Sequence, residues 1–151
     1  MFHFLKHPEY GDESIDLYRL KVDEADSRLG FSDEKVWRIT LKGKRQEIGQ
    51  ISYRTGESEG VFYFGHIGYH IDPPWRGNHF ALHACKLITD EIIRSGKHSV
   101  SITCDPDNTA SEKTCMELGC FYEDRVFVPD WLQRSFDISS EKLRFIWILN
   151  E

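Results

Sequence analysis

No stretch of this 151-residue chain approaches the ~20 consecutive apolar residues that a membrane-spanning helix needs. The opening residues, MFHFLKHPEYGDE, lack a basic segment followed by a long apolar one, so no secretory leader is expected. There is no block of basic charge. Lys and Arg number 19 against 25 Asp and Glu, for a net charge of −6. A chain without a basic patch is a poor partner for nucleic acid or an anionic membrane, and neither is expected. A cationic partner is weakly favoured instead. The four cysteines, Cys85, Cys104, Cys115 and Cys120, never fall into the paired C-x-x-C spacing of a zinc or redox site. Buried thiols of a cytoplasmic protein are their expected role. G-K-[ST] after a glycine-rich loop is missing, which excludes a P-loop, and so is the dinucleotide fingerprint G-x-G-x-x-G. Repeats, low-complexity tracts and long linkers are absent. Residues 1–151 therefore read as a single domain, long enough to bury a sizeable core.

The apolar and charged shares, 40% and 29%, are those of a globular protein. Ile15–Val22, Val36–Leu41 and Glu47–Tyr53 alternate as strands, with a hairpin turn at GKRQ between the second and third. Asp23–Lys35 is polar and reads as a loop or one short helix. Arg54–Gly60 reads as a turn. Val61–Ile71 (VFYFGHIGYHI) is rich in aromatic and β-branched residues on both faces, as in a central strand ended by Pro73 and Pro74. Ala81, Cys85, Ile88 and Ile92 step by 4, 3 and 4, which lines one face of a helix stopped at Gly96. His98–Cys104 alternates again. Strand, helix and strand make a βαβ unit with parallel strands and a right-handed crossover. Ala110–Leu118 follows as a helix, with Thr109 and Glu112 at capping-box spacing and Gly119 closing it. Phe121–Val128 and Lys142–Leu149 add two strands. The fold class is α/β, with a mixed and mostly antiparallel sheet.

The stretch DPPWRGNHFALHACKLI, from Asp72 to Ile88, runs from two prolines through a cation and a glycine straight into the long helix. A loop opening a helix offers unpaired amides and the positive end of a dipole, which suits a phosphate. Gly77 lets the backbone come close, and Arg76 is a permanent planar donor. One strand later stands DPDNTASEKTCMELGCF, Asp105 to Phe121. Together the two stretches resemble the GNAT superfamily of N-acetyltransferases. The family pattern V-x-P-x-[YW]-R-G-x-G-x-[GA] is similar to Ile71 through Ala81, and N-x-A-S-x-x-x-x-x-x-L-G-F to Asn108 through Cys120. The wording sits closest to the branch of ribosomal-protein alanine acetyltransferases.

The resemblance implies a GNAT-like fold, with a splayed parallel strand pair joined by a long helix. It implies acetyl-CoA as cosubstrate, no metal, and a small-molecule or peptide amine as acceptor. The implied cofactor-binding residues are Ile71, Arg76, Gly77, Asn78, His79, Phe80, Ala81, Asn108 and Ser111. The pantetheine arm is implied to lie between Val61–Ile71 and His98–Cys104. His79 stands where the family usually has glycine. Cys115 stands where it often has a tyrosine acting as general acid. His66 and His70, expected on one face of the central strand, are the candidate proton relays. Cys115 is either an acid for the departing thiolate or a core residue. His79 and His83 have zinc-ligand spacing, but Phe80 occupies the place of a metalloprotease base, and no metal is expected. A homodimer is among the states the sequence allows. The alternatives are a non-catalytic acyl-CoA-binding module and a plain α/β domain whose Arg76 loop binds another phosphate ligand or nothing.

Overall fold

The computed structural model describes residues 7–22 and 29–149. A two-residue strand, β1 (Tyr10–Gly11), edges an antiparallel run of β2 (Ile15–Leu20), β3 (Asp33–Leu41) and β4 (Glu47–Thr55). Alternation puts Ile15, Leu17, Trp37, Ile39, Ile51 and Tyr53 on one buried face. Leu17 pairs with Ile39, and Trp37 with Ile51. Fully burying side chains of this size contributes roughly 1.5–3 kcal/mol each. The region expected as a loop or short helix, Asp23–Lys35, lies outside the described residues at 23–28, and its last three residues open β3.

The expected central strand Val61–Ile71 divides in two. Its first half is a helix, α1 (Glu59–Phe64), and only β5 (Ile67–Ile71) is strand. The local chemistry explains the change. Ser58 caps the helix by accepting from the Val61 amide at 3.2 Å, and Glu59 sits in the first turn. Gly65 ends it at φ 82°, a conformation that favours glycine. Aromatic and β-branched content alone could not reveal this.

A 3₁₀ turn at Pro73–Trp75 leads into α2 (Phe80–Leu87) and α3 (Thr89–Arg94). The long helix is interrupted at Ile88, yet Ile88 N still donates to Ala84 O and Ile92 N to Ile88 O. The buried stripe survives, with Cys85, Ile88 and Ile92 wholly enclosed. Then come β6 (Ser99–Cys104), α4 (Thr109–Glu117), β7 (Phe121–Phe127), α5 (Asp130–Phe136) and β8 (Glu141–Ile148). The sheet order is β1-β2-β3-β4-β5-β6-β8-β7, and among the described residues β5 and β6 are its parallel neighbours. This is the mixed, mostly antiparallel sheet the sequence implies. The alternation of the chain did not announce α5. It carries the buried Leu132 into a second apolar cluster with Leu29 and Val128, beside Tyr63 and Phe64 of α1. Thus α2 packs on one face of the sheet, while α1 lies on the other, where Thr103 of β6 donates to Tyr63 O. Among the described residues no helix is long and apolar enough to cross a membrane.

The helical layer is tied down by a buried carboxylate. Glu91 of α3 accepts from Tyr10 Oη at 2.8 Å, Lys35 Nζ at 2.7 Å and Arg19 Nη2 at 3.3 Å. Such a charge is tolerated in a dry place because it is paired on several sides.

Candidate active site

The site begins where β5 and β6 part. Asp72 N donates to Ile48 O and Arg54 N to His66 O, so the even-numbered residues of this ladder turn their backbone to β4. Antiparallel alternation then turns the N–H and C=O groups of Tyr69 and Ile71 toward β6. β6 does not meet them. The two strands register at one pair, Ile67 with Ile102, and then diverge. A cleft of about 190 Å³ fills the apex, lined by Gly68, Tyr69, Thr103, Cys104, Asn108 and Lys142 among others. It continues into a larger cleft of about 480 Å³, bordered by Ile71, Arg76, Gly77, His79, Ala81 and Lys113. Tyr69, Asp105, Asn108 and Ser111 line both.

The floor of the larger cleft is the loop into α2. Among the described residues, the backbone amides of Gly77, Asn78, His79, Phe80 and Ala81 have no acceptor. Gly77 adopts φ 87°, and a Cβ there would meet nothing within 4 Å, so the surface above it is open. Arg76 is exposed and anchored by Nε to Ile71 O at 2.7 Å. Asn78 turns its side chain back to Trp75 O at 3.1 Å, and Phe80 packs against the core; neither lines the cleft, whose rim here is Gly77, His79 and Ala81. His79 caps α2 in the left-handed region, φ 62° and ψ 21°, and its Nδ1 lies 3.1 Å from Glu117. The structure therefore keeps a glycine-type backbone where the sequence has histidine.

Asn108, rather than Thr109, is the cap of α4. Its Oδ1 accepts from Ser111 N at 3.1 Å, which leaves its amide nitrogen toward the clefts it lines. Ser111 Oγ is 2.7 Å from Tyr69 Oη, and burial pushes that phenol well above its ordinary range. Asp105 accepts from Lys142 Nζ and Ser139 Oγ, each at 2.7 Å. Burial alone would raise its carboxyl, but these bonds outweigh it and hold the group below the ordinary carboxylate range.

The three candidate proton carriers end up apart. His66 precedes β5 and is buried beneath α1, so it shares no strand face with His70. Its Nδ1 accepts from Ser101 N at 3.0 Å, which places the proton on Nε2, toward Glu57 Oε1 at 3.3 Å. Burial lowers its pKa, and it lines none of the clefts described here. His70 is on β5, exposed, with Nε2 3.1 Å from Asp72 Oδ1, and it borders the larger cleft. Cys115 is wholly enclosed beside Cys120 and Tyr69. A hydrogen bond with Cys120, together with burial, keeps its thiol protonated. The sequence reading passed over Tyr69, Asp105 and Lys142. Tyr69 was hidden in a segment read as one long strand, and Lys142 reaches the apex only through the β6–β8 pairing.

The opposite face of the sheet carries a third depression, an open groove of about 360 Å³ lined by Glu34, Val36, Gln50, Ser52, Arg54 and His70 among others. Gly68 and Tyr69 belong to both this groove and the apex cleft. The two meet at a residue with no side chain.

The sequence profile of the acetyltransferase (GNAT) domain matches residues 3–120. The chain belongs to the GNAT acetyltransferase family. Among solved structures it is similar to the microcin C7 self-immunity acetyltransferase MccE, in complex with acetyl-CoA and AMP, at 19% identity and TM-score 0.59, over 77% of this chain and 61% of that one. It is similar to a ribosomal-protein-S5-alanine acetyltransferase from Vibrio fischeri at 20% identity and TM-score 0.60, over 78% and 63%. It is also similar to RimL, a ribosomal L7/L12 alpha-N-protein acetyltransferase in complex with coenzyme A, at 18% identity and TM-score 0.57, over 81% and 64%. The chain spans less than two thirds of the length of these three proteins. A search of curated protein sequences finds no match. At these identities the likeness is one of fold.

Proposed function

We propose that the protein, as one domain, is an N-acetyltransferase that moves the acetyl group of acetyl-CoA onto a primary amine by direct attack. One observation carries this reading: the parting of β5 from β6, with the Tyr69 and Ile71 backbone facing the gap and the unpaired amides of Gly77, His79 and Ala81 at its mouth. The mouth suits a pyrophosphate, with Arg76 as its charged partner and the helix dipole behind it. The Ile71 N–H and the Tyr69 C=O can pair with the amides of a pantetheine arm as a neighbouring strand would, while Ile71 O stays with Arg76 Nε. Asn108 Nδ2 and the Ser111 region form the other wall. A thioester carried to the apex brings its carbonyl oxygen within reach of the Tyr69 amide, which would stabilise the tetrahedral oxyanion.

The amine enters from the groove across Gly68 and must arrive uncharged. At pH 7 a lysine-type amine costs about 4.6 kcal/mol to deprotonate, against about 1–1.4 kcal/mol for an α-amine. Among the described residues the apex holds no strong base: Asp105 is held below its ordinary range by Lys142, and His66 is elsewhere. An α-amine, small or at the end of a peptide, is therefore the acceptor this site handles best. His70, which borders both groove and cleft, is the residue we assign to relaying its proton through water. Attack forms the C–N bond, collapse breaks the C–S bond, and the departing thiolate takes up the proton released from nitrogen. Two of the similar proteins are named for ribosomal-protein acceptors, and RimL's name specifies the alpha-N position, which agrees with this choice. The four free, buried cysteines fit a reducing cytoplasm.

Calorimetry with acetyl-CoA, followed by free-thiol release over a panel of amines, tests the reading and separates an enzyme from a silent binder. Arg76→Ala is expected to weaken acetyl-CoA binding about tenfold. His70→Asn is expected to leave binding unchanged and to slow turnover about tenfold or more. Unchanged affinity in the first variant would remove the phosphates from this loop, and unchanged turnover in the second would remove the relay from His70.

A further inference from the structure

Arg54 stands at the neck of the groove, and its hydrogen-bonding capacity is only partly used. Nε donates to Glu34 Oε2 at 3.2 Å, and Nη1 donates to Phe64 O and Gly65 O at 3.1 and 3.2 Å. The guanidinium lies over the Phe31 ring, Cζ 5.3 Å from its centroid. These contacts fix the group and consume three of its five N–H donors. Nη2 meets no acceptor among the described residues. It lies across Gly68, so closely that a Cβ built there would run into it. Gly68 is also where groove and apex cleft join. A rigidly held donor with two unused N–H bonds thus sits at the passage an amine must cross.

We propose that Arg54 is the specificity-determining residue of the acceptor groove, donating from Nη2 to a carbonyl or carboxylate oxygen borne beside the attacking amine. The proposal rests on the acetyl-transfer reading and narrows its acceptor class. An amino-acid derivative or a peptide amino terminus carries such an oxygen three bonds from its nitrogen. The end of a lysine side chain carries none, and a polyamine would bring a second positive charge against the guanidinium. The net charge of −6 attracts cations to the molecule as a whole, but the groove's own neck selects against multiple charge. A guanidinium suits this task better than an ammonium, because its planar fork can serve two protein carbonyls and a ligand oxygen together. Glycine at position 68 is the complement, since any side chain would displace Nη2 from the passage.

The test compares glycinamide with 2,2-difluoroethylamine, a small amine of similar basicity without the carbonyl, as acceptors of the full-length protein under saturating acetyl-CoA. The wild type is expected to favour glycinamide by about tenfold or more in kcat/KM, the range for a hydrogen bond to a charged donor. Arg54→Lys and Gly68→Ala should each bring that ratio toward one, whatever they do to the absolute rates. A purely structural role would lower both rates and leave the ratio intact. Should Arg54→Lys fail to fold, as judged by its melting transition, Gly68→Ala decides alone. A ratio retained in the folded variants overturns the proposal, and so does a wild type that binds acetyl-CoA but prefers the fluorinated amine or turns over neither. If acetyl-CoA fails to bind at all, the acetyl-transfer reading itself falls and takes this proposal with it.

Discussion

His79 and Asn108 show how a residue can do two jobs at once. A non-glycine residue at φ 62° carries roughly 1–2 kcal/mol of left-handed strain. His79→Gly relieves that strain, but glycine gains roughly 0.5–1 kcal/mol of freedom when unfolded. The melting temperature of the variant should therefore stay within about 2 °C of wild type. Acetyl-CoA should bind at least as tightly, because the loop has lost only a side chain. A fall of several degrees would mean that the contact with Glu117 stabilises the loop more than the backbone costs it. Asn108 both caps α4 through Oδ1 and lines the clefts with its amide. Asn108→Ala should lose about 1 kcal/mol of stability as well as turnover. Asn108→Asp keeps a capping oxygen and loses the donor, so it should melt near wild type yet turn over poorly. Equal turnover of Asn108→Asp and wild type would confine the residue to the cap.

At the scale of elements, the mouth of the site was legible because its signals are local. Two prolines, Gly77 and an apolar stripe at helical spacing mark the loop and α2 from sequence alone, and the apolar alternation of β2, β3 and β4 does the same for half the sheet. What could not be read depended on competition between neighbours or on distant pairing. Val61–Ile71 has strand composition throughout, yet the Ser58 cap and Gly65 turn its first half into α1. That change removes His66 from the strand face it was expected to share with His70. Lys142 and Arg54 reach the site only through strand order and side-chain reach, which spacing does not encode. The element that matters most, β5, makes its own prediction. Its Tyr69 and Ile71 amides face a gap and lack the partners that β4 amides have, so they should exchange hydrogen faster than those of Ile51 or Tyr53. They should become protected when acetyl-CoA is added. Amides already slow in the free protein would mean that the gap is closed in solution.

For the molecule as a whole, the sheet must be rigid around its opening, and the packing provides this. Trp37, Tyr53 and Phe145 lie in one continuous apolar cluster, and the bonds to Glu91 hold the N-terminal strands to α3. A ligand that fills the opening binds the folded chain alone and so raises its stability by mass action. The most direct measurement is the melting temperature of the intact protein with acetyl-CoA, and separately with inorganic phosphate at equal concentration. At one hundred times its dissociation constant acetyl-CoA should add about 2.7 kcal/mol, a shift of about 5–10 °C. Phosphate, which engages the loop but not the gap, should give only a small part of that shift. Equal shifts with the two ligands, or none with acetyl-CoA, would contradict the account.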